Sequence, residues 1–272
     1  MPVEIVDTGK ILLTCRIDGN SGNPWLILSN SLATDHSMWS PQIGVLTRAY
    51  RVLRYDTRGH GASTAPPAPY SLATLVDDVI AIMDRYDIKR ADFMGLSLGG
   101  MTGLGLALDH PDRIRRLICC DARADAPEAY RQMWPANITR AREEGMDALV
   151  EPTLERWFTG SFRARKASGA VLNATGDMIR RTSVEGYAGC AAALMGLDYL
   201  PRLGSITVPT LYVVGENDPA APRAVMEEMA AQTPAADFFA IPKAAHLSNL
   251  ERPDAFNNAV KGWLDERPAP GR

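Results

Sequence analysis

Short apolar runs and amphipathic helical stretches alternate along the first part of the chain. Residues 25–28, 52–55, 91–94 and 117–120 are apolar runs of strand length bounded by polar and turn residues, and they predict successive buried parallel strands. Ahead of them, residues 3–6 and 11–17 flank Asp7-Thr8-Gly9 and predict an opening hairpin. Between about residues 123 and 205 the strand signal vanishes, and Met, Trp, Ala and charged residues recur at helical spacing. Strand-like runs return at 210–214 and 237–241, and a last helical pattern spans 253–264. This alternation predicts an α/β protein with a mostly parallel, doubly wound sheet. The core is assigned to residues 1–122 and 206–266, with a helical cap inserted over 123–205, and the prolines and glycine of 267–272 predict a disordered tail. No internal repeat, low-complexity tract or linker divides the sequence into independently folding units.

Composition narrows the function classes. At 272 residues the chain is long enough for one large core plus an inserted lobe, and 46% hydrophobic residues is ordinary for a globular protein. No apolar stretch is long enough to span a bilayer, and residues 1–15 lack a charged segment followed by an apolar signal core, so a soluble cytoplasmic protein is expected. A net charge of −3 argues against nucleic acid as a partner, and the basic runs Arg113-Ile114-Arg115-Arg116 and Arg163-Ala164-Arg165-Lys166 read as solvated faces or helix ends. The four cysteines show no metal-ligand spacing, and Cys119 and Cys120, adjacent in a strand, point to opposite faces; buried free thiols and no metal site are expected. Oligomeric state is not legible in the sequence.

The chemical signal is concentrated at Gly95-Leu96-Ser97-Leu98-Gly99, with Gly100 behind it. A strand-like run precedes Ser97 and a helical run follows it, as in a nucleophile elbow, where the positions two before and two after the serine must lack bulk. A serine nucleophile needs a base, and the chain has only four histidines. His36 lies in a polar loop, His60 in the turn Arg58-Gly59-His60-Gly61, and His110 before Pro111 at a helix end. His246 lies beyond a strand and before a helix, where open α/β sheets gather functional groups, and is the candidate general base. The acid that orients it is assigned to Asp218, on the turn leaving the strand at 210–214, with Asp121 at the end of 117–120 as first rival and Glu216 as second.

These residues resemble the α/β-hydrolase superfamily, and within it the 3-oxoadipate enol-lactonases of aromatic-compound degradation. The similarity spans nearly the whole chain. It is carried by Leu28-Ser29-Asn30-Ser31-Leu32-Ala33-Thr34-Asp35 with Met38-Trp39, by Arg54-Tyr55-Asp56-Thr57-Arg58-Gly59-His60-Gly61, by Trp157-Phe158-Thr159, by Glu185-Gly186-Tyr187-Ala188 and by His246-Leu247-Ser248-Asn249-Leu250-Glu251. Two departures fall where a substrate would be gripped: Ala33, where the subgroup has glycine, and the more apolar Met195-Gly196-Leu197. The resemblance implies an oxyanion hole of backbone N–H groups from Leu32 and Leu98.

It also implies a cofactor-free, two-step acyl transfer on a small lactone or ester, with 3-oxoadipate enol-lactone as the expected substrate. A general carboxylesterase, a perhydrolase or haloperoxidase-type enzyme and a non-enzymatic ligand receptor are the alternatives. The cap should roof Ser97, with Trp134, ahead of the helix-interrupting Pro135, as the candidate substrate-binding residue and Trp157, Tyr187 and Met195 as further lining candidates. Because the enol-lactone carries a carboxylate, a cation is expected in the lobe, and Arg131 and Arg140 are candidates.

Overall fold

A computed structural model describes residues 3–267. Its eight strands are β1 (Val3–Asp7), β2 (Leu12–Asp18), β3 (Trp25–Ser29), β4 (Arg51–Tyr55), β5 (Ala91–Leu96), β6 (Ile114–Cys120), β7 (Thr210–Gly215) and β8 (Ala236–Ile241). They form one sheet in the order β1-β2-β4-β3-β5-β6-β7-β8. Only the β1–β2 and β2–β4 pairings are antiparallel, so the hairpin at the start is an antiparallel edge on an otherwise parallel sheet.

The core helices are α1 (Ser40–Leu46), α2 (Leu72–Arg85) and α3 (Leu98–Asp109), and beyond the insertion α9 (Arg223–Gln232), α10 (Ser248–Glu251) and α11 (Pro253–Glu266). Helix α2 shows why they form and where they pack. Ser71 caps its first turn by accepting from Thr74 N–H, and Leu72, Leu75, Val76, Val79, Ile82 and Met83 recur at helical spacing on the buried face. Helix α3, by contrast, is buried all round and lacks an amphipathic stripe.

Between β6 and β7 the described chain forms helices α4 (Glu128–Glu144), α5 (Val150–Trp157), α6 (Gly160–Arg163), α7 (Gly169–Arg181) and α8 (Val184–Met195). Its two ends are drawn together by an isolated bridge between Asp125 and Asp198, and Ala124 O accepts from Tyr199 and Leu200 N–H. Helix α4 runs through Pro135 without interruption, contrary to the reading of that proline as a helix breaker. One backbone donor is lost there, but packing of the amphipathic helix outweighs it.

The topology fixes where a site can form. Leaving β3, the chain places β4 on one side, then returns to place β5 on the other, so the winding reverses between β3 and β5; ligand sites of open α/β sheets lie at such a crevice. The register brings the functional ends level, with Ser29 opposite Gly95, Leu96 opposite Cys120, and Cys120 opposite Val213.

The basic run at 113–116 is not a solvated face. Arg116 is 2% exposed and pairs at 2.5 Å with Asp92, its register partner on β5, while Arg115 also reaches Asp92 and Arg113 reaches Asp84. All four cysteines are free and buried, and burial raises each thiol, Cys15 to about 12, leaving them unreactive. Among the described residues no helix is long and apolar enough to cross a membrane. Of the tail expected to be disordered, 268–272 lies outside the described residues, and Arg267 forms an ion pair with Asp237.

Candidate active site

Strand β5 is buried along its whole length and ends at Leu96; the next residue, Ser97, has φ 55° and ψ −114°, and α3 starts at Leu98. A non-glycine residue in that region costs about 1–3 kcal/mol, and the surroundings hold it there. Ser97 N–H donates to Cys120 O at 2.8 Å, and Ser97 O accepts from Met101 N–H at 2.9 Å. The flanking glycines are obligatory on steric grounds. A Cβ on Gly95 would lie 2.1 Å from Gly99 O, and one on Gly99 would lie 2.2 Å from Ser29 O.

His246 sits on the loop between β8 and α10, and its Nδ1 is 2.8 Å from Asp218 Oδ2. The pair is almost fully buried, with side-chain exposures of 5% and 0%. Asp218 is itself fixed: its N–H donates to Gly215 O at the end of β7, and its Oδ1 accepts from Ala220 N–H at 2.7 Å. With Nδ1–H donating to the carboxylate, Nε2 is left as the basic nitrogen. The histidine loop is tied to the insertion. Leu247 N–H donates to Trp157 O, the Trp157 ring lies 6.2 Å from the imidazole, and the Glu251 carboxylate accepts from Ala245 N–H and from Thr159 N–H and Oγ1–H.

The rival residues have other hydrogen-bond partners, although Asp121 lies beside Ser97 and His246 in the wall of the same cavity. Asp121 accepts from Gly215 N–H at 2.7 Å and Ser248 Oγ–H at 2.5 Å, and no hydrogen bond joins it to His246 among the described residues. Burial first, and the nearby Asp218 charge second, push its carboxyl well above the usual range. It therefore ties β6 to β7 and α10. Glu216 is exposed and accepts from Lys243 N–H. His36 pairs with Asp56 at 2.8 Å, His60 is buried with Nδ1 on Arg58 O, and His110 caps the end of α3.

The loop after β3 is held by Asn30, whose Nδ2 donates to Tyr55 O at 2.6 Å and whose Oδ1 accepts from Trp39 Nε1–H at 3.1 Å. Ala33 then takes φ 58°. Alanine in that left-handed region costs about 1–2 kcal/mol and glycine little, which gives the departure at this position a steric meaning. Neither Leu32 N–H nor Leu98 N–H has a protein acceptor among the described residues.

A cavity of about 300 Å³ lies over the elbow, with Ser97, His246 and Leu32 on its floor side and Trp134 and Trp157 among the residues from the insertion. Tyr187 and Met195 are not in the wall. Tyr187 packs edge-on behind Trp134 at 6.3 Å, and the neighbouring Leu194 lines the cavity instead of Met195. Arg131 and Arg140 are also outside it, half-exposed and paired with Glu128 and Glu144 on their own helix. The cavity arginines are Arg123, on the loop between β6 and α4, and Arg156 in α5, which helical spacing alone does not distinguish from its neighbours. One metal-like cluster, Asp35, His36 and Asp56, occurs among the described residues, but Asp56 already accepts from His36 and Ala62 and Asp35 from Ser37 and Arg181.

Residues 24–253 match the model of the alpha/beta hydrolase fold family. The chain is 38% identical over 250 residues to 3-oxoadipate enol-lactonase 2 of Acinetobacter baylyi, covering 90% of each sequence. Among solved structures, the enol-lactonase from Burkholderia xenovorans LB400 superposes with a TM-score of 0.91 at 41% identity, covering 97% of this chain and 100% of that one. A thermophilic esterase from Thermogutta terrifontis, solved with malate bound, does so at 0.89 and 29% identity, covering 98% and 99%. A serine at a strained strand-to-helix turn, a histidine that lines the same cavity and is paired with a buried aspartate, and this likeness along the whole chain agree: the protein belongs to the α/β-hydrolase fold family, as a carboxylic ester hydrolase closely related to the 3-oxoadipate enol-lactonases.

Proposed function

We propose that the protein opens a small lactone through an acyl-enzyme on Ser97, with 3-oxoadipate enol-lactone as its substrate. The observation that carries this reading is that His246, paired at 2.8 Å with Asp218, lines together with Ser97 a cavity of only about 300 Å³. That size suits a compact ring and not a long acyl chain. The relatives named above as enol-lactonases support the choice of ring.

His246 Nε2 takes the Ser97 proton as Oγ attacks the lactone carbonyl, and Asp218 stabilises the imidazolium. The unpartnered N–H groups of Leu32 and Leu98 receive the oxyanion, a contribution of about 3 kcal/mol per donor in comparable sites. Collapse of the tetrahedral adduct breaks the ring C–O bond, and His246 returns the proton to the leaving oxygen. In an enol-lactone that oxygen is an enol, which tautomerises to a ketone and drives ring opening forward. Water deprotonated by His246 then releases the acid and regenerates Ser97, and none of these steps needs a cofactor. The helical insertion, residues 123–205, serves as the cap that sets substrate size, with Trp134 in its wall.

A second reading, a general carboxylesterase, is favoured by the apolar wall of Met101, Met133, Trp134 and Leu194. The comparison of kcat/KM on 3-oxoadipate enol-lactone and on a short aryl acetate decides between them. A lactone value above about 10⁵ M⁻¹s⁻¹ and well above the ester is expected of an evolved substrate. Fast ester cleavage with slow ring opening would overturn the lactonase reading and leave the esterase.

A further inference from the structure

The turn that carries Leu32 holds one of its peptide units in a fixed direction. Residues 31–34 form a four-residue turn closed by Thr34 N–H on Ser31 O at 3.3 Å, with Ala33 at the third position at φ 58°. Leu32, at the second position, keeps its N–H outside that bond and without a protein acceptor among the described residues. The Thr34 side chain adds a second bond to the same carbonyl, Oγ1–H donating to Ser31 O at 2.8 Å. A peptide unit is planar and trans, so its C=O and its N–H point in opposite directions. Two donors on Ser31 O therefore fix the direction of Leu32 N–H.

Met38, on the single helical turn His36–Trp39, braces the peptide unit before it. Its Sδ accepts Ser31 N–H at 3.4 Å and lies 2.9 Å from Thr34 Oγ1, so one thioether touches both ends of the turn. No other acceptor serves Ser31 N–H among the described residues. Met38 is itself anchored, its O accepting at 3.1 Å from Nδ2 of Asn249, three residues beyond His246. Ser31, Thr34 and Met38 are all buried, which leaves water no room to replace a lost partner. Neither Thr34 nor Met38 is in the cavity wall. Valine and leucine would fill nearly the same space, so what the two side chains add is a hydroxyl and a sulfur bonded to the turn.

We propose that Thr34 and Met38 are positioning residues of the oxyanion hole, which hold the peptide unit between Ser31 and Leu32 so that Leu32 N–H stays available to the oxyanion, and which touch no substrate themselves. A donor fixed in advance needs no reorganisation as charge develops on the carbonyl oxygen. This rests on the reading of Ser97 as nucleophile and Leu32 N–H as donor given above, and deepens it from the donor to the side chains that aim it.

The test uses Thr34→Val, which keeps the shape and removes the hydroxyl, Thr34→Ser, which keeps the hydroxyl, and Met38→Leu, which removes the sulfur. Steady-state hydrolysis of 4-nitrophenyl acetate gives kcat and KM. An oxyanion donor serves acylation and deacylation alike, so a misdirected one lowers kcat and leaves KM near its parental value. Thr34→Val should lower kcat about 10- to 100-fold, and Thr34→Ser should stay within about threefold of the parent. Met38→Leu should lower it about 3- to 10-fold, because a thioether is a weak acceptor. The second readout is the ratio of affinities for a short-chain trifluoromethyl ketone and the methyl ketone of the same chain. Ser97 Oγ adds to the carbonyl carbon of the fluoroketone, its proton passes to His246, and the carbonyl oxygen becomes an oxyanion; the methyl ketone binds without that charge. The ratio should fall in Thr34→Val by a factor similar to that in kcat and recover in Thr34→Ser. Parental kcat and ratio in Thr34→Val would overturn the proposal and leave the hydrolase intact, and the same result in Met38→Leu would remove Met38 from it. Equal weakening of both ketones would refute it as well, as a general loosening of the site. Should Thr34→Val fail to fold, Met38→Leu carries the same comparison. A parent that neither cleaves the ester nor prefers the fluoroketone would overturn the hydrolase reading, and this inference with it.

Discussion

Replacing Asp218 by asparagine changes one atom and should nearly abolish activity, for a reason visible in its hydrogen bonds. Oδ1 accepts from Ala220 N–H at 2.7 Å, so the asparagine oxygen is held at that position and its NH₂ group falls where Oδ2 now receives His246 Nδ1. An NH₂ cannot accept. Nδ1 must then become the acceptor, the ring proton moves to Nε2, and Nε2 can no longer act as the base proposed for Ser97. The same change in the triad of serine proteases lowers turnover about 10⁴-fold; a fall of about 10³- to 10⁴-fold in kcat/KM is expected here, or about 4–5.5 kcal/mol of barrier. Asp121→Asn is the matched control. Its Gly215 N–H bond can persist on the amide oxygen, and the Ser248 hydroxyl can rotate to accept from the new NH₂, so a loss of less than about tenfold is expected. The assay is steady-state kcat/KM on an aryl acetate, with thermal unfolding to show that both variants fold. Activity of Asp218→Asn within tenfold of the parent, or a larger loss in Asp121→Asn, would refute the assignment of the acid.

Gly99→Ala should fail to give soluble protein, because its Cβ would lie 2.2 Å from Ser29 O and neither backbone can move without breaking the β3–β5 pairing; a soluble variant with parental Tm would contradict the steric account. Glu251→Gln should lose about 1–3 kcal/mol of stability in urea unfolding, and also kcat, since this carboxylate fastens Thr159 to the loop bearing His246; loss of stability with unchanged kcat would confine it to a structural role. His60 is buried, and burial lowers its pKa below the usual 6.5. The unfolded chain therefore binds a proton there before the folded one does, so stability should be full above about pH 6.5 and should fall as the pH drops through the unfolded value toward the lower folded one. Urea midpoints at pH 7.5 and 5.5 in the parent and in His60→Gln check this, and an equal pH dependence in both would exclude His60 as its source.

The elbow was legible in the sequence because its constraint is local. Ser97 can take φ 55° only if Gly95 and Gly99 lack side chains, and all of these residues lie within one five-residue window. His246 and Asp218 were legible one step further out, because apolar runs mark the strands and functional groups gather beyond strand ends. The choice between Asp218 and Asp121 was not settled by pattern, since both leave strands toward the same rim; in the structure Asp218 lies within hydrogen-bond distance of His246 and Asp121 is bonded to Ser248. Which arginines line the pocket was left open for a related reason. Arg131, Arg140 and Arg156 all sit in amphipathic helices, and helical period says which residues share a face, not what that face meets. Packing turned Arg131 and Arg140 outward to glutamates and Arg156 inward beside Trp157. Arg116 was likewise buried, and Arg115 half-buried, by a partner on the neighbouring strand. Sequence determined what depends on steric exclusion and burial along a few residues: strands, helices, the strained serine and the rim it occupies. Tertiary structure decided the cavity, because Ser31, Trp134, Arg156 and His246 come from distant parts of the chain and meet only when the insertion closes over the sheet.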